Sequence, residues 1–263
     1  MTIINAPTTR TASVAARFPA GSEAIARADG FAAGGSLPRP AEIAAPSDQR
    51  RWWLIGELGL LFVVAPILMR HAVYTYHVPL FYALPPVLIG IIAFLFFDPT
   101  FRLSRELRRG LSWPTVRSIL IVFATGAVIV AALVAINMPD RLFALAAERP
   151  GKWLKIMVLY PFTSVLAQEF VYRVFFFHRY GPLFPNRAVL IVVNGLVFGL
   201  GHALFRNWIA VGGTFLTGLL FAWRYERTRA FWAVWVEHVL WGWLAFTIGL
   251  GVYFFTGEKN PAW

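Results

Sequence analysis

Apolar residues fall into long runs of near membrane-crossing length, broken by short polar or basic stretches. The runs cover about residues 52–69, 78–97, 116–138, 153–177, 188–205, 208–225 and 230–255. About 20 consecutive apolar residues are needed to cross roughly 30 Å of hydrocarbon. The pattern therefore predicts an all-α polytopic transmembrane helix bundle of about seven spans. Pro85 and Pro86 interrupt the second run, and Arg102, Arg105, Arg108 and Arg109 mark a short interfacial helix after it. Residues 139–152 read as a polar connection.

Residues 1–51 show no sustained apolar period and are expected to form a disordered cytoplasmic tail. Their opening, MTIINAPTTR, lacks a basic region followed by an apolar core, so it does not read as a cleaved signal peptide. The expected organisation is this tail, N-terminal membrane helices over 52–151, a membrane core carrying the chemistry over 152–255, and a short tail over 256–263.

Composition agrees with a membrane protein: 58% of the 263 residues are hydrophobic, against about 45–50% in soluble domains. The net charge is +11, from 24 Lys and Arg against 13 Asp and Glu. The cations gather at the ends of apolar runs, which is the positive-inside pattern rather than a nucleic-acid surface. Arg50, Arg51, Arg102, Arg105, Arg108, Arg109, Arg117, Arg179, Arg187, Arg224, Arg227 and Arg229 would share one side. Arg70, Arg141, Arg149, Lys152, Lys155, Arg206 and Lys259 would share the other. This favours a cytoplasmic N-terminus in a bacterial inner membrane, with membrane lipid as a partner and no nucleic acid. The chain has no cysteine, so disulfides, thiolate nucleophiles and Cys-ligated metals are excluded.

Ionisable residues inside apolar runs are costly and point to function. Glu169 and Arg173 are four apart, share a helix face and can pair; a structural salt bridge is the plain alternative. Gln168 and Tyr172 share the adjacent face. His202 closes the string FGLGH that begins at Phe198, where Gly195, Gly199 and Gly201 suggest close helix packing. Glu237 precedes His238, and its simplest reading is a residue reaching water at the cytoplasmic interface. At about 1.5 Å per residue, Glu169, His202 and His238 lie roughly 14–22 Å above their basic flanks, a depth that permits one shared cavity.

The order Gln168-Glu169-x-x-x-Arg173, Phe198-x-x-x-His202 and His238 resembles the CAAX protease and bacteriocin-processing family of intramembrane endopeptidases. That family carries Glu-Glu-x-x-x-Arg, Phe-x-x-x-His and His-x-x-x-Asn/Asp on successive membrane helices, and the similarity covers about residues 152–250. The resemblance implies a cytosol-facing cavity in which a glutamate and a histidine activate water to cleave a peptide bond. A second histidine and an asparagine would stabilise the oxyanion. The substrate would be a peptide or a membrane-anchored protein, such as a lipidated tail, a bacteriocin leader or a sorting helix.

Two positions depart from the pattern: Gln168 stands where the first glutamate is usual, and Gly242 where the asparagine is usual. Glu169, His202 and His238 then become the expected catalytic set with Gln168 beside them, and Arg173, Phe198, Glu237 and Gly242 the orienting positions. The alternative is a catalytically impaired scaffold that binds a helix or peptide. A proton-coupled transporter would also bury Glu, His and Arg, but the chain shows no internal repeat. No cofactor is expected. No His-Glu-x-x-His motif is present, although Glu169, His202 and His238 offer the donor types of a two-His, one-carboxylate zinc site.

Overall fold

The computed structural model describes residues 46–78 and 80–254, apart from the side chains of 80–84 and 105. The tail expected over 1–51 and the one over 256–263 lie outside the described residues except for 46–51. Among the described residues every regular element is helical. The helices are α1 (Asp48–Thr75), α2 (Leu80–Phe97), α3 (Leu103–Arg108), α4 (Trp113–Asn137), α5 (Ala144–Glu148), α6 (Pro150–Leu183), α7 (Arg187–Gly201), α8 (Trp208–Thr228) and α9 (Phe231–Thr247).

Among the described residues, four stretches are long and apolar enough to cross a membrane: α1, α4, α6, and α7 with its following turn to Phe205. Residues Pro85–Phe97 of α2 form a shorter apolar helix. The outer surface carries Leu60, Leu68, Ile121, Val128, Leu133 and Ile136, all exposed. So broad an apolar exterior is what a bilayer covers, and the chain is an integral membrane protein.

Several boundaries differ from the sequence-based expectation, each for a local reason. Helix α1 starts at Asp48, before Arg51, because Asp48 supplies an acid to its first turn. The connection over 139–152 is not extended. It folds into a 3-10 turn at Pro139–Arg141 and the short α5, where Ala144 and Leu145 are buried. The last apolar run breaks earlier than expected. Gly249 takes φ of 96°, and a β-carbon there would lie 2.8 Å from the carbonyl carbon of Arg141. Only glycine tolerates both the left-handed backbone and that approach, so α9 ends at Thr247 and a 3-10 turn follows over Leu250–Phe254.

Helices α7 and α8 meet backbone to backbone. Gly195 packs on Leu219, Gly199 on Phe215 and the Val211 carbonyl, and Gly218 on Phe198 and the α-carbon of Gly195. Small residues let helices approach closely when no hydrophobic driving force separates helix from lipid. The close-packing reading of Gly195 and Gly199 therefore holds, whereas Gly201 makes room for the Tyr172 hydroxyl instead. An aromatic core of Phe62, Phe170, Phe175, Phe176, Phe177, Tyr180, Tyr225 and Phe231 fills the space among α1, α6, α8 and α9.

Polar clasps tie the first helices to this core. Arg179 of α6 donates to both carboxylate oxygens of Glu57 at 2.9 and 2.6 Å, and the Tyr180 hydroxyl donates at 2.8 Å. After α2, Asp98 accepts from the amide and hydroxyl of Thr100 and lies 3.1 Å from His178 Nε2. Burial pushes the Asp98 carboxyl up, but the Thr100 and His178 contacts outweigh it and hold it below the ordinary carboxylate range. A depressed native pKa stabilises the fold above the unfolded value, and that contribution disappears as pH falls through the native value. Asp98→Asn should therefore lower the melting temperature at neutral pH, with the difference from wild type closing once the medium is acidic enough to protonate Asp98.

Candidate active site

Helix α6 positions the candidate carboxylate. It is not a uniform α-helix: π-helical turns occupy Pro161–Val165 and Phe170–Phe175, on either side of the α-turn Leu166–Glu169. Such turns concentrate at functional sites because they re-aim side chains. Two contacts satisfy carbonyls in these widened turns. The Trp235 indole donates to the Pro161 carbonyl at 3.0 Å, and the Asn194 amide of α7 donates to the Tyr172 carbonyl at 2.7 Å. In lipid such carbonyls need a protein partner.

Glu169, at the end of the α-turn, is fully buried. Its Oε1 lies 2.6 Å from Nδ1 of His238 on α9. A carboxylate at this distance accepts the Nδ1 proton, which fixes the neutral imidazole with Nε2 as acceptor. Nε2 lies 3.2 Å from the Tyr160 hydroxyl, which then donates to it. The His238 ring is sandwiched by apolar rings: it stacks on Phe221 with centroids 4.8 Å apart and meets the Phe198 edge at 5.7 Å.

Arg173 is also fully buried. Its Nε lies 3.3 Å from Glu169 Oε2, so the expected pairing forms. The alignment is poor, however, and neither Glu169 Oε2 nor any guanidinium nitrogen of Arg173 has a hydrogen-bond partner. The charge is instead held over the Phe198 face at 4.5 Å and near Phe221 at 5.4 Å. Glu169 thus has one oxygen committed to His238 and one beside a cation without a hydrogen bond to it.

His202 sits where α7 gives way to a 3-10 turn, and its Nδ1 lies 2.8 Å from the Phe198 carbonyl one turn back. Its ring stacks obliquely on Phe198 at 4.7 Å. Phe198 therefore lies against both imidazoles. Among the described residues, the polar contacts of Glu169 run to His238 and Arg173, not to His202. Gln168 donates to Ser164 at 2.7 Å.

Glu237 corrects the sequence-based reading of a group reaching interfacial water. It is fully buried and takes two hydrogen bonds of 2.7 Å from Arg224 of α8, which also donates to Ser118 of α4 at 3.0 Å. Both its oxygens are thereby committed, so it cannot replace Glu169 as a base. Gly242 faces Tyr160: a β-carbon there would overlap the ring and lie 2.6 Å from the hydroxyl. Among the described residues no group of three His, Asp or Glu side chains is arranged to hold a metal ion.

Sequence reasoning missed Tyr160, Phe221 and Asn194, and placed Arg224 among the flanking cations, whereas it is buried against Glu237. Arg224 had a signal, because a buried Glu237 demands a cation. Asn194 also had one, as a lone amide in an apolar run. Tyr160 could be found only by asking what fills the volume left at Gly242.

The buried carboxylate–imidazole pair thus lies at the centre of a helical membrane protein. Residues 150–244 match the family model of type II CAAX prenyl endopeptidases, Rce1-like. No curated protein and no solved structure matches the chain. The matched segment runs from the start of α6 to the last turn of α9 and contains Glu169, Arg173, His202 and His238.

Proposed function

We propose that this chain is an intramembrane endopeptidase that hydrolyses a peptide bond in a lipidated or membrane-anchored substrate. The observation that carries the reading is the 2.6 Å contact between Glu169 and His238 inside a fully buried polar centre. Water attacks the scissile carbonyl and gives its proton to His238 Nε2. The imidazolium so formed is balanced by Glu169. The same proton then passes to the leaving nitrogen as the C–N bond breaks, giving a carboxylic acid and a free amine. His202, across Phe198, is a second imidazole close to the pair; its Nδ1 proton goes to the Phe198 carbonyl, which leaves Nε2 as an acceptor able to hold a water. The Glu169–His238 contact favours His238 as the base at the water. Preorganised donors and a positioned base each supply orders of magnitude in rate.

The test is cleavage of a synthetic peptide with a prenylated Cys near its C-terminus by the purified protein in detergent. Release of the C-terminal fragment is expected, and its absence for prenylated, acylated and unmodified peptides alike would overturn the reading. Two observations favour the scaffold alternative: the complete burial of Glu169 and Arg173, and the engagement of Gln168 with Ser164. Gln168→Glu separates the two readings. A large gain in cleavage over an inactive wild type would identify a pseudoprotease.

The N-terminal flank is proposed to face the cytoplasm of a bacterial inner membrane, from the balance of flanking cations. Protease added to inside-out vesicles should remove the segment before α1, and protection there would reverse the topology.

A further inference from the structure

Helices α6 and α9 run antiparallel and are pinned in register by side-chain bonds. Trp153 donates to the Thr247 hydroxyl at 3.1 Å, Trp243 to the Met157 carbonyl at 2.9 Å, and Trp235 to the Pro161 carbonyl at 3.0 Å. Between the last two lies Tyr160, whose hydroxyl is 3.2 Å from His238 Nε2. Its ring meets the Phe246 edge at 5.4 Å and occupies the space that any side chain at 242 would need.

We propose that Tyr160 is a positioning residue for the Glu169–His238 pair, and that Gly242 exists to seat it. The proposal deepens the protease reading and rests on it for its kinetic consequence. Glu169 holds one ring nitrogen of His238 and Tyr160 holds the other, so the imidazole cannot rotate about its own axis or swing toward Phe198. A chain with glycine at 242 thereby acquires from the neighbouring helix a polar group that its own helix lacks.

The test uses the full-length protein with 15N-labelled histidine in micelles, with cleavage assayed in parallel. Tyr160→Phe keeps the ring and loses only the hydroxyl. It should shift the His238 Nε2 resonance toward that of an unbonded imidazole nitrogen. It should also reduce kcat about tenfold, as expected for loss of one hydrogen bond to a reacting group, with KM and melting temperature unchanged. Gly242→Ala, which forces the ring aside, should reproduce the Nε2 shift and the kcat loss. Combined with Tyr160→Phe it should lower kcat no further. An Nε2 resonance and kcat unmoved by Tyr160→Phe would overturn the proposal, as would a lower melting temperature accompanied by wild-type kcat. A wild-type chain that cleaves nothing overturns the protease reading instead, and the Nε2 resonance then decides the role of Tyr160 alone.

Discussion

Glu169→Gln should abolish measurable cleavage, with kcat down about 10²–10⁴-fold, the range for loss of a positioned acid–base group. The amide oxygen still accepts the His238 Nδ1 proton, so the imidazole keeps its place. What disappears is the negative charge that balances the imidazolium when Nε2 takes a proton from water. The same change strips Arg173 of its counter-ion. That guanidinium is completely buried and has no hydrogen bonds to fall back on, so some stability must be lost as well. Measuring both quantities separates the roles. A steep fall in kcat with a folded, inserted protein marks Glu169 as the working carboxylate. Unchanged cleavage with a loss of about 3–5 kcal/mol, typical of a broken buried ion pair, would make it a structural partner of Arg173 and sink the mechanism.

Arg224→Leu should be the most destabilising single change, at about 3–5 kcal/mol. Glu237 would keep a buried charge with neither of its two hydrogen bonds, and Ser118 would lose its link between α4 and α8. Glu237→Leu in the same chain should recover much of the loss, because a well-packed apolar pair avoids the desolvation cost that the ions carry. Denaturation in mild detergent, followed by helical circular dichroism, reads both. A double variant no more stable than the single would show that the pair contributes through specific geometry that leucines cannot supply. Because Glu237 precedes His238, the single variant should also blunt cleavage through local loosening of α9.

The helices were legible in the sequence because lipid imposes a crude length rule, and α1, α4, α6 and α7 obey it. The breaks were not, because they depend on tertiary detail. Gly249 ends α9 through its approach to the Arg141 carbonyl, and nothing near 249 in sequence announces a residue so far upstream. The candidate site divides in the same way. Glu169 with Arg173 was readable from helical spacing, and His238 from its isolation in an apolar run. That Glu169 meets His238 rather than His202 depends on the π-helical turns of α6, whose carbonyls are satisfied by Asn194 and Trp235 from other helices. Spacing arguments assume 3.6 residues per turn and lose their aim wherever that assumption fails. Glu237 was misread because depth alone does not reveal that a neighbouring helix brings an arginine.

Helix α6 runs for 34 residues from Pro150 to Leu183. At about 1.5 Å per residue it is roughly 50 Å long, while the hydrocarbon slab measures roughly 30 Å. A rod of that length must lean steeply, stand out of the bilayer at one end, or thicken the lipid around it. Glu169 lies past its midpoint, so the tilt of α6 sets how far from each headgroup layer the carboxylate rests. A thinner or thicker bilayer would then hold Glu169 at a different depth below the headgroups.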